Sequence, residues 1–269
     1  MHLGSVAIEP SRWAALLADG AAKPLVKLSQ WLDQIGAAGF DGVEVWERHL
    51  TEAAPEEVEA ILNHAVPVAV FNSYASFDET DETDETDETA GSSRAAAVEW
   101  TTRSGSGGVK YNVGNDPAME GLYIERVAAW VEALDDDVAL LCECHHGISI
   151  AEDPQVAARI FDAAGPANRV QAIVHTHEAP DDLRARFDAY GERITHVHVN
   201  FLDFESMSAP RLVDIRDRVA SQVELLASLG FAGSWTIEFT HGLLTENDHP
   251  DFLLSQATED LALLRELLA

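Results

Sequence analysis

Four stretches of the chain place a carboxylate or an imidazole at the end of an apolar, strand-like run. They are Glu143 in L-L-C-E-C-H-H-G, His175 in A-I-V-H-T-H-E, His198 in H-V-H-V-N and Glu238 in W-T-I-E-F-T-H-G. Two carboxylates and two imidazoles are a donor set for one divalent metal ion. Seven of the eleven histidines (145, 146, 175, 177, 196, 198 and 241) fall at or near these run ends, which chance scatter would not produce. A glutamate inside an apolar run such as T-I-E-F costs free energy to bury without a partner, and a bound cation removes that cost. The competing reading is internal: each histidine bonds a backbone group or a carboxylate, and each glutamate meets an arginine. The common chain order and strand-end placement of all four favour the metal.

The elements that position these residues alternate regularly. Apolar or β-branched runs at about 3–8, 42–46, 67–72, 108–113, 137–143, 169–175, 193–199 and 234–239 read as strands, with helical patterns between them. Leu25, Leu28, Leu32 and Ile35 form one apolar stripe, and Leu253, Ala257, Leu261, Leu264 and Leu268 another. Eight of the ten prolines (10, 24, 55, 117, 154, 180, 210 and 250) precede or open such a segment, where the missing N–H costs nothing. Asp116 and Asp153 stand before two of them as N-caps. Eight strand–helix units in 269 residues specify an α/β protein built as a (β/α)8 TIM barrel, a single domain over 1–269. A doubly wound open sheet would carry a glycine-rich phosphate loop, and neither G-x-G-x-x-G nor G-x-x-x-x-G-K-[ST] occurs. An internal echo fits a barrel of like units: A-A-G-F-D-G-V-E-V at 37–45 and S-L-G-F-A-G-S-W-T-I-E at 228–238. Side chains alternate along barrel strands, and barrel active sites form at the carboxyl ends of the strands. On that alternation Glu143 shares a face with His145, His175 with His177, His198 with His196 and Asn200, and Glu238 with Thr240.

Forty-seven acidic against 17 basic residues give a formal net charge of −30, and only Lys23, Lys27 and Lys110 are lysines. Such self-repulsion opposes compactness in dilute buffer. At about 1 M salt the screening length falls to roughly 3 Å, so the composition reads as that of a salt-adapted, halophilic intracellular protein. Its melting temperature should then rise between 0.1 M and several molar KCl in a thermal scan, and a flat response would remove this reading. The same charge argues against a nucleic-acid partner, because phosphate backbones demand clustered lysine and arginine. No run approaches the roughly 18 apolar residues of a membrane span, and M-H-L-G-S-V-A-I-E-P lacks a secretory signal's order, so a cytoplasmic location is expected. Cys142 and Cys144, two apart in a strand, read as reduced packing residues. Four D-E-T triplets at 78–89 place eight carboxylates in twelve residues and read as a solvated acidic loop after the third strand, with an acidic lid or cation-binding loop over the barrel mouth as the lesser alternative.

Lesser candidates for substrate contact stand near the same strand ends. His145 could bond a substrate hydroxyl, and Asn200 shares the face of His198. Glu44 and Trp46 share a face of the second strand, where the indole could stack on a sugar or simply pack. Lys110, facing with Asn112 in the fourth strand, could meet an anionic group or pair with a neighbouring carboxylate. His146, His177, His196 and His241 could fix the ligand imidazoles from behind.

From G-F-D-G-V-E-V-W at 39–46 through G-F-A-G-S-W-T-I-E at 230–238 the chain resembles the xylose isomerase-like TIM barrels. That group holds sugar-phosphate isomerases and epimerases together with apurinic-site endonucleases. The resemblance implies a divalent metal held by a glutamate on strand five, an aspartate on six, a histidine on seven and a glutamate on eight. Glu143, His198 and Glu238 match the first, third and fourth. Strand six departs: where the group reads Asp-x-x-His, this chain reads His175-Thr176-His177-Glu178, with His175 in the aspartate's place. A neutral imidazole there makes the set softer and one charge less negative, favouring Mn, Co or Zn over Mg. The loop F-L-D-F-E-S-M-S-A-P-R after strand seven also lacks the group's glycine-rich stretch.

What the resemblance implies chemically is proton transfer beside a carbonyl through an enediolate, with Glu143 and Glu238 as the base and acid. The expected substrate is a sugar, sugar phosphate or related polyol, a keto-inositol awaiting dehydration included, and a homo-oligomer is compatible with it. Two alternatives stand beside this: a multi-metal phosphodiesterase of the endonuclease branch, and a catalytically silent barrel that binds a small ligand.

Overall fold

The computed structural model describes residues 1–11, 23–78, 90–203, 205–206 and 208–269. Of the acidic triplets at 78–89, all but Asp78 lie outside the described residues. Eight parallel strands close into a barrel in chain order: β1 (His2–Gly4), β2 (Gly42–Trp46), β3 (Val68–Asn72), β4 (Gly108–Tyr111), β5 (Ala139–Cys142), β6 (Val170–His175), β7 (Ile194–Val199) and β8 (Ser234–Ile237). Helices alternate with them: α1 (Leu32–Ala38), α2 (Arg48–Thr51), α3 (Pro55–Leu62), α4 (Ala90–Ser104), α5 (Glu120–Ala133), α6 (Pro154–Ala164), α7 (Pro180–Tyr190), α8 (Arg216–Ser228) and α9 (Pro250–Leu267). This is the (β/α)8 TIM barrel that the alternation specifies. No helix among the described residues is long and apolar enough to cross a membrane.

Two differences from the sequence-based expectation have local causes. The first strand stops at Gly4, and Ser5–Ile8 turn into a buried 3-10 segment. The stripe from Leu25 loses its first member: Leu28, Leu32 and Ile35 are fully buried, but Leu25 is 74% exposed. The backbone there is captured by a carboxylate, since Leu25 and Val26 donate their N–H groups to Glu9 at 3.1 and 2.9 Å. Captured donors cannot join a helical ladder.

By contact density the chain forms two compact units: Met1–Ala69 with His175–Pro180 and Val197–Ala269, and Val70–Val174 with Asp181–His196. In the first unit β1 pairs with both β2 and β8, His2 lying opposite Gly42 and Thr236. The two echoing segments also take the same turn. Gly39 and Gly230 adopt φ 101° and 87°, the left-handed region that glycine enters without strain. The following phenylalanines, Phe40 and Phe231, donate N–H to Ile35 and Leu226 five residues back, at 3.3 and 3.0 Å. That is the glycine-terminated helix end that satisfies the last carbonyls and turns the chain into β2 or β8. In α9, Leu253, Ala257, Leu261 and Leu264 are buried, each adding roughly 1.5–3 kcal/mol where a leucine is fully covered. Leu268, one residue past the helix, is 42% exposed. Buried Asp260 on this helix accepts the Leu212 N–H at 3.2 Å, and burial raises its carboxyl to about 7.

In the second unit β4 pairs with β3 and β5, and β5 with β6, in registers Val70 to Gly108, Gly108 to Ala139 and Leu140 to Val170. Val70, Leu141 and Ile173, from β3, β5 and β6, form one core cluster. Phe77, Tyr111 and Trp130 pack at ring separations of 5.2 to 5.8 Å. Two buried arginines stand just before β6 and β7 and bond backbone carbonyls of neighbouring segments: Arg169 donates to the Val131, Leu134 and Val138 carbonyls, and Arg193 to those of Gly165 and Val170. The expected caps form, with Asp153 accepting from Gln155 and Val156 at 2.8 and 3.3 Å and Asp116 from Ala118 at 2.9 Å. Asp78, first of the acidic triplets, accepts the Tyr123 hydroxyl. Cys142 and Cys144 are both free and buried.

Candidate functional site

The four residues singled out at strand ends sit at strand ends. His175 is the last residue of β6 and His198 the last but one of β7, while Glu143 and Glu238 stand one residue beyond β5 and β8. All four are buried, with exposures of 5%, 0%, 5% and 7% respectively.

In the first unit the centre of the arrangement is His198. Its Nε2 lies 3.0 Å from Glu44 Oε2, and its Nδ1 lies 3.6 Å from Glu238 Oε2. Glu238 in turn accepts the Asn200 side-chain amide at 3.0 Å. The His175 ring stands edge-on to that of His198, 5.2 Å between centroids, with His177 at the same distance on another side. Glu178, in the place where the resemblance puts a histidine, folds back to accept the His175 backbone N–H at 2.8 Å. The turn that carries these residues is clamped: Thr176 Oγ1 donates to the Asn200 carbonyl and accepts the Asn200 N–H, and Gln222 donates to the Thr176 and Glu178 carbonyls at 2.9 Å. A buried imidazole held between two carboxylates gathers more negative charge than it offsets.

The second unit places Glu143 between two donors. Lys110 Nζ approaches Oε1 at 2.5 Å and Asn112 donates to Oε2 at 2.7 Å. Lys110, at the fourth strand, thus takes the ion-pair alternative, and Asn112 also accepts the His145 backbone N–H at 3.1 Å. The alternation expected to carry His145 onto the face of Glu143 ends at Cys144, whose φ of 51° is left-handed and turns the chain. The His145 ring instead lies against the His146 carbonyl at 2.8 Å. His196 is buried within β7.

Trp46 is 2% exposed, with its ring edge-on to His49 and the Arg48 guanidinium 5.7 Å above it. Enclosed in this way the indole packs rather than offering an open platform. His49 itself is buried and held neutral, its pKa pushed down to about 4 by burial. Its Nε2 lies 3.8 Å from Glu9, whose carboxylate also accepts from Ser11, Leu25 and Val26.

Reading the sequence missed the pairing of Glu44 with His198. The signal is present in G-V-E-V-W, a glutamate inside an apolar run like that of T-I-E-F. Glutamate and histidine groups able to hold a metal ion are thus present, and His198 belongs to each such group found among the described residues. The donor chemistry, buried imidazole nitrogen with carboxylate oxygen, fits a divalent metal ion.

No protein-family model matches this chain, and no curated protein matches it in sequence. Solved structures share its fold. The probable 3-DHS dehydratase AsbF of Bacillus anthracis superposes with a TM-score of 0.63 at 12% identity, covering 97% of this chain and 99% of that one. The 3-keto-D-glucoside 4-epimerase YcjR of E. coli does so with a TM-score of 0.54 at 18% identity, covering 91% and 95%. Endonuclease IV of Thermus thermophilus gives 0.56 at 16% identity, covering 89% and 94%. Others are described as xylose isomerase-like TIM barrels and sugar phosphate isomerase/epimerases. At these identities the likeness is one of fold.

Proposed function

We propose that this protein is a divalent-metal-dependent isomerase or epimerase acting on a sugar, sugar phosphate or related polyol, through proton transfer and an enediolate. The observation that carries the proposal is His198, buried between the carboxylates of Glu44 and Glu238 at 3.0 and 3.6 Å with the His175 ring beside it. The solved structures of like fold support the substrate class by their descriptions, an epimerase of a keto-glucoside and sugar phosphate isomerase/epimerases.

Glu143, His175, His198 and Glu238 are the residues assigned to the ion. Bound there, it would supply Lewis acidity to the carbonyl and adjacent hydroxyl of the substrate. The remaining work falls to side chains. Lys110 and Asn112 fix the direction of the Glu143 carboxylate, as the geometry of a general base requires. Asn200 orients Glu238 in the same way, so one glutamate removes the proton beside the carbonyl and the other returns it. Return to the neighbouring carbon isomerises, and return to the opposite face epimerises. His145 and Asn200 are assigned to substrate hydroxyls, with Glu44, Trp46 and Lys110 acting behind them.

Elemental analysis of purified protein in high salt, joined to deuterium uptake from D₂O by a panel of ketoses, tests the proposal. One ion per chain and label at a carbon-bound position are expected. Two or three ions would favour the phosphodiesterase alternative, which the 47 acidic against 17 basic residues oppose. No ion and no exchange would leave a silent ligand-binding barrel.

A further inference from the structure

We propose that Glu44 is a positioning residue that fixes the tautomer of His198, leaving the Nδ1 lone pair to face the ion assigned beside Glu238. The inference deepens the metal-dependent reading and rests on it.

In its neutral form the imidazole carries a single N–H, and of the Glu44 and Glu238 carboxylates the nearer is placed to accept it. Glu44 Oε2 stands 3.0 Å from Nε2, within hydrogen-bond range, whereas Glu238 Oε2 stands 3.6 Å from Nδ1, beyond it. An ionised carboxylate only accepts, so the closer one draws the proton to Nε2. Nδ1 then carries a lone pair, and His198 and Glu238 would be among the residues that hold the ion. Were the proton on Nδ1 instead, that nitrogen would have no lone pair to offer an ion.

Burial makes the choice durable. Glu44 is 1% exposed and His198 fully buried, so water cannot readily substitute for the carboxylate. Glu44 is also held from the backbone: it lies inside β2, opposite Gly4 of β1, while His198 lies in β7. A carboxylate behind a metal-bound imidazole fixes ring and tautomer and raises the donor's basicity, and its loss typically costs 10- to 100-fold in metal affinity. Glu44 touches neither the ion nor the substrate in this role, unlike the direct contact its strand position alone suggests.

The test uses full-length protein with ¹⁵N-labelled histidine. In metal-free wild type, long-range ¹H–¹⁵N correlation should show His198 protonated at Nε2. In Glu44→Gln, whose amide can donate as well as accept, that preference should weaken, and Zn²⁺ affinity measured by chelator competition should fall roughly 10- to 100-fold with one ion still bound at saturation. Three results would overturn the proposal: an Nδ1–H tautomer in wild type, unchanged Zn²⁺ affinity in the variant, or complete loss of the ion at saturating Zn²⁺, which would make Glu44 a ligand. If wild type binds no metal the proposed function fails, but the tautomer still decides the role of Glu44. The same wild-type spectrum decides it if the variant does not fold.

Discussion

Glu143→Gln should lower solvent-proton exchange into the substrate by roughly 10²- to 10⁴-fold at saturating metal, the usual contribution of a positioned base. The substitution keeps the volume of the side chain and an oxygen for Lys110, and it removes the group able to take a proton. Glu143 suits the task because its carboxylate is 5% exposed and gripped at both oxygens by Lys110 and Asn112, so its direction is set before substrate arrives. Deuterium incorporation followed by NMR is the measurement, with Glu238→Gln run in parallel. The glutamine at 238 should depress exchange comparably and weaken the metal as well, since Glu238 Oε2 is the oxygen beside His198. Exchange surviving both substitutions would remove the two glutamates from the reaction.

The second large effect is on stability. Lys110→Met should cost about 3–5 kcal/mol, the range for breaking a buried ion pair by removing one partner. Lys110 and Glu143 are 4% and 5% exposed and 2.5 Å apart, so solvent does not screen the charge that would be left behind. Methionine fills most of the volume of the lysine stem, which confines the loss to the charge and its hydrogen bond. Urea unfolding gives the value, and the double variant Lys110→Met with Glu143→Gln should recover much of it, because no uncompensated anion remains. A loss below about 1 kcal/mol would put the pair in the class of screened surface contacts.

Much of this architecture is legible in the sequence for identifiable reasons. The strands of a TIM barrel are covered on both faces, so they read as continuous apolar runs, and a glutamate or histidine inside one stands out. That is why Glu143, His175, His198 and Glu238 could be named from spacing alone. Helix starts were marked by proline and by the Asp116 and Asp153 caps, which bond as expected. What escaped depends on contacts distant in sequence or on single backbone angles. Glu44 and His198 are 154 residues apart and meet only once the strands have curled into a ring. The turn at Cys144 rests on one positive φ at a residue type that seldom takes it, so strand alternation does not extend past it to His145. Leu25 was assigned to a helix because periodicity cannot see that a carboxylate at residue 9 binds its N–H.

The scarcity of lysine has a practical meaning for handling the molecule. Lys23 and Lys27 are exposed, whereas Lys110 is enclosed with its ammonium bound to an anion. Among the lysines, acylating reagents and dye esters will therefore decorate two neighbouring positions and pass over the third until the structure locally opens. The slow appearance of label at that third amine would act as an internal clock, timing how often the surroundings of the Glu143 carboxylate come apart.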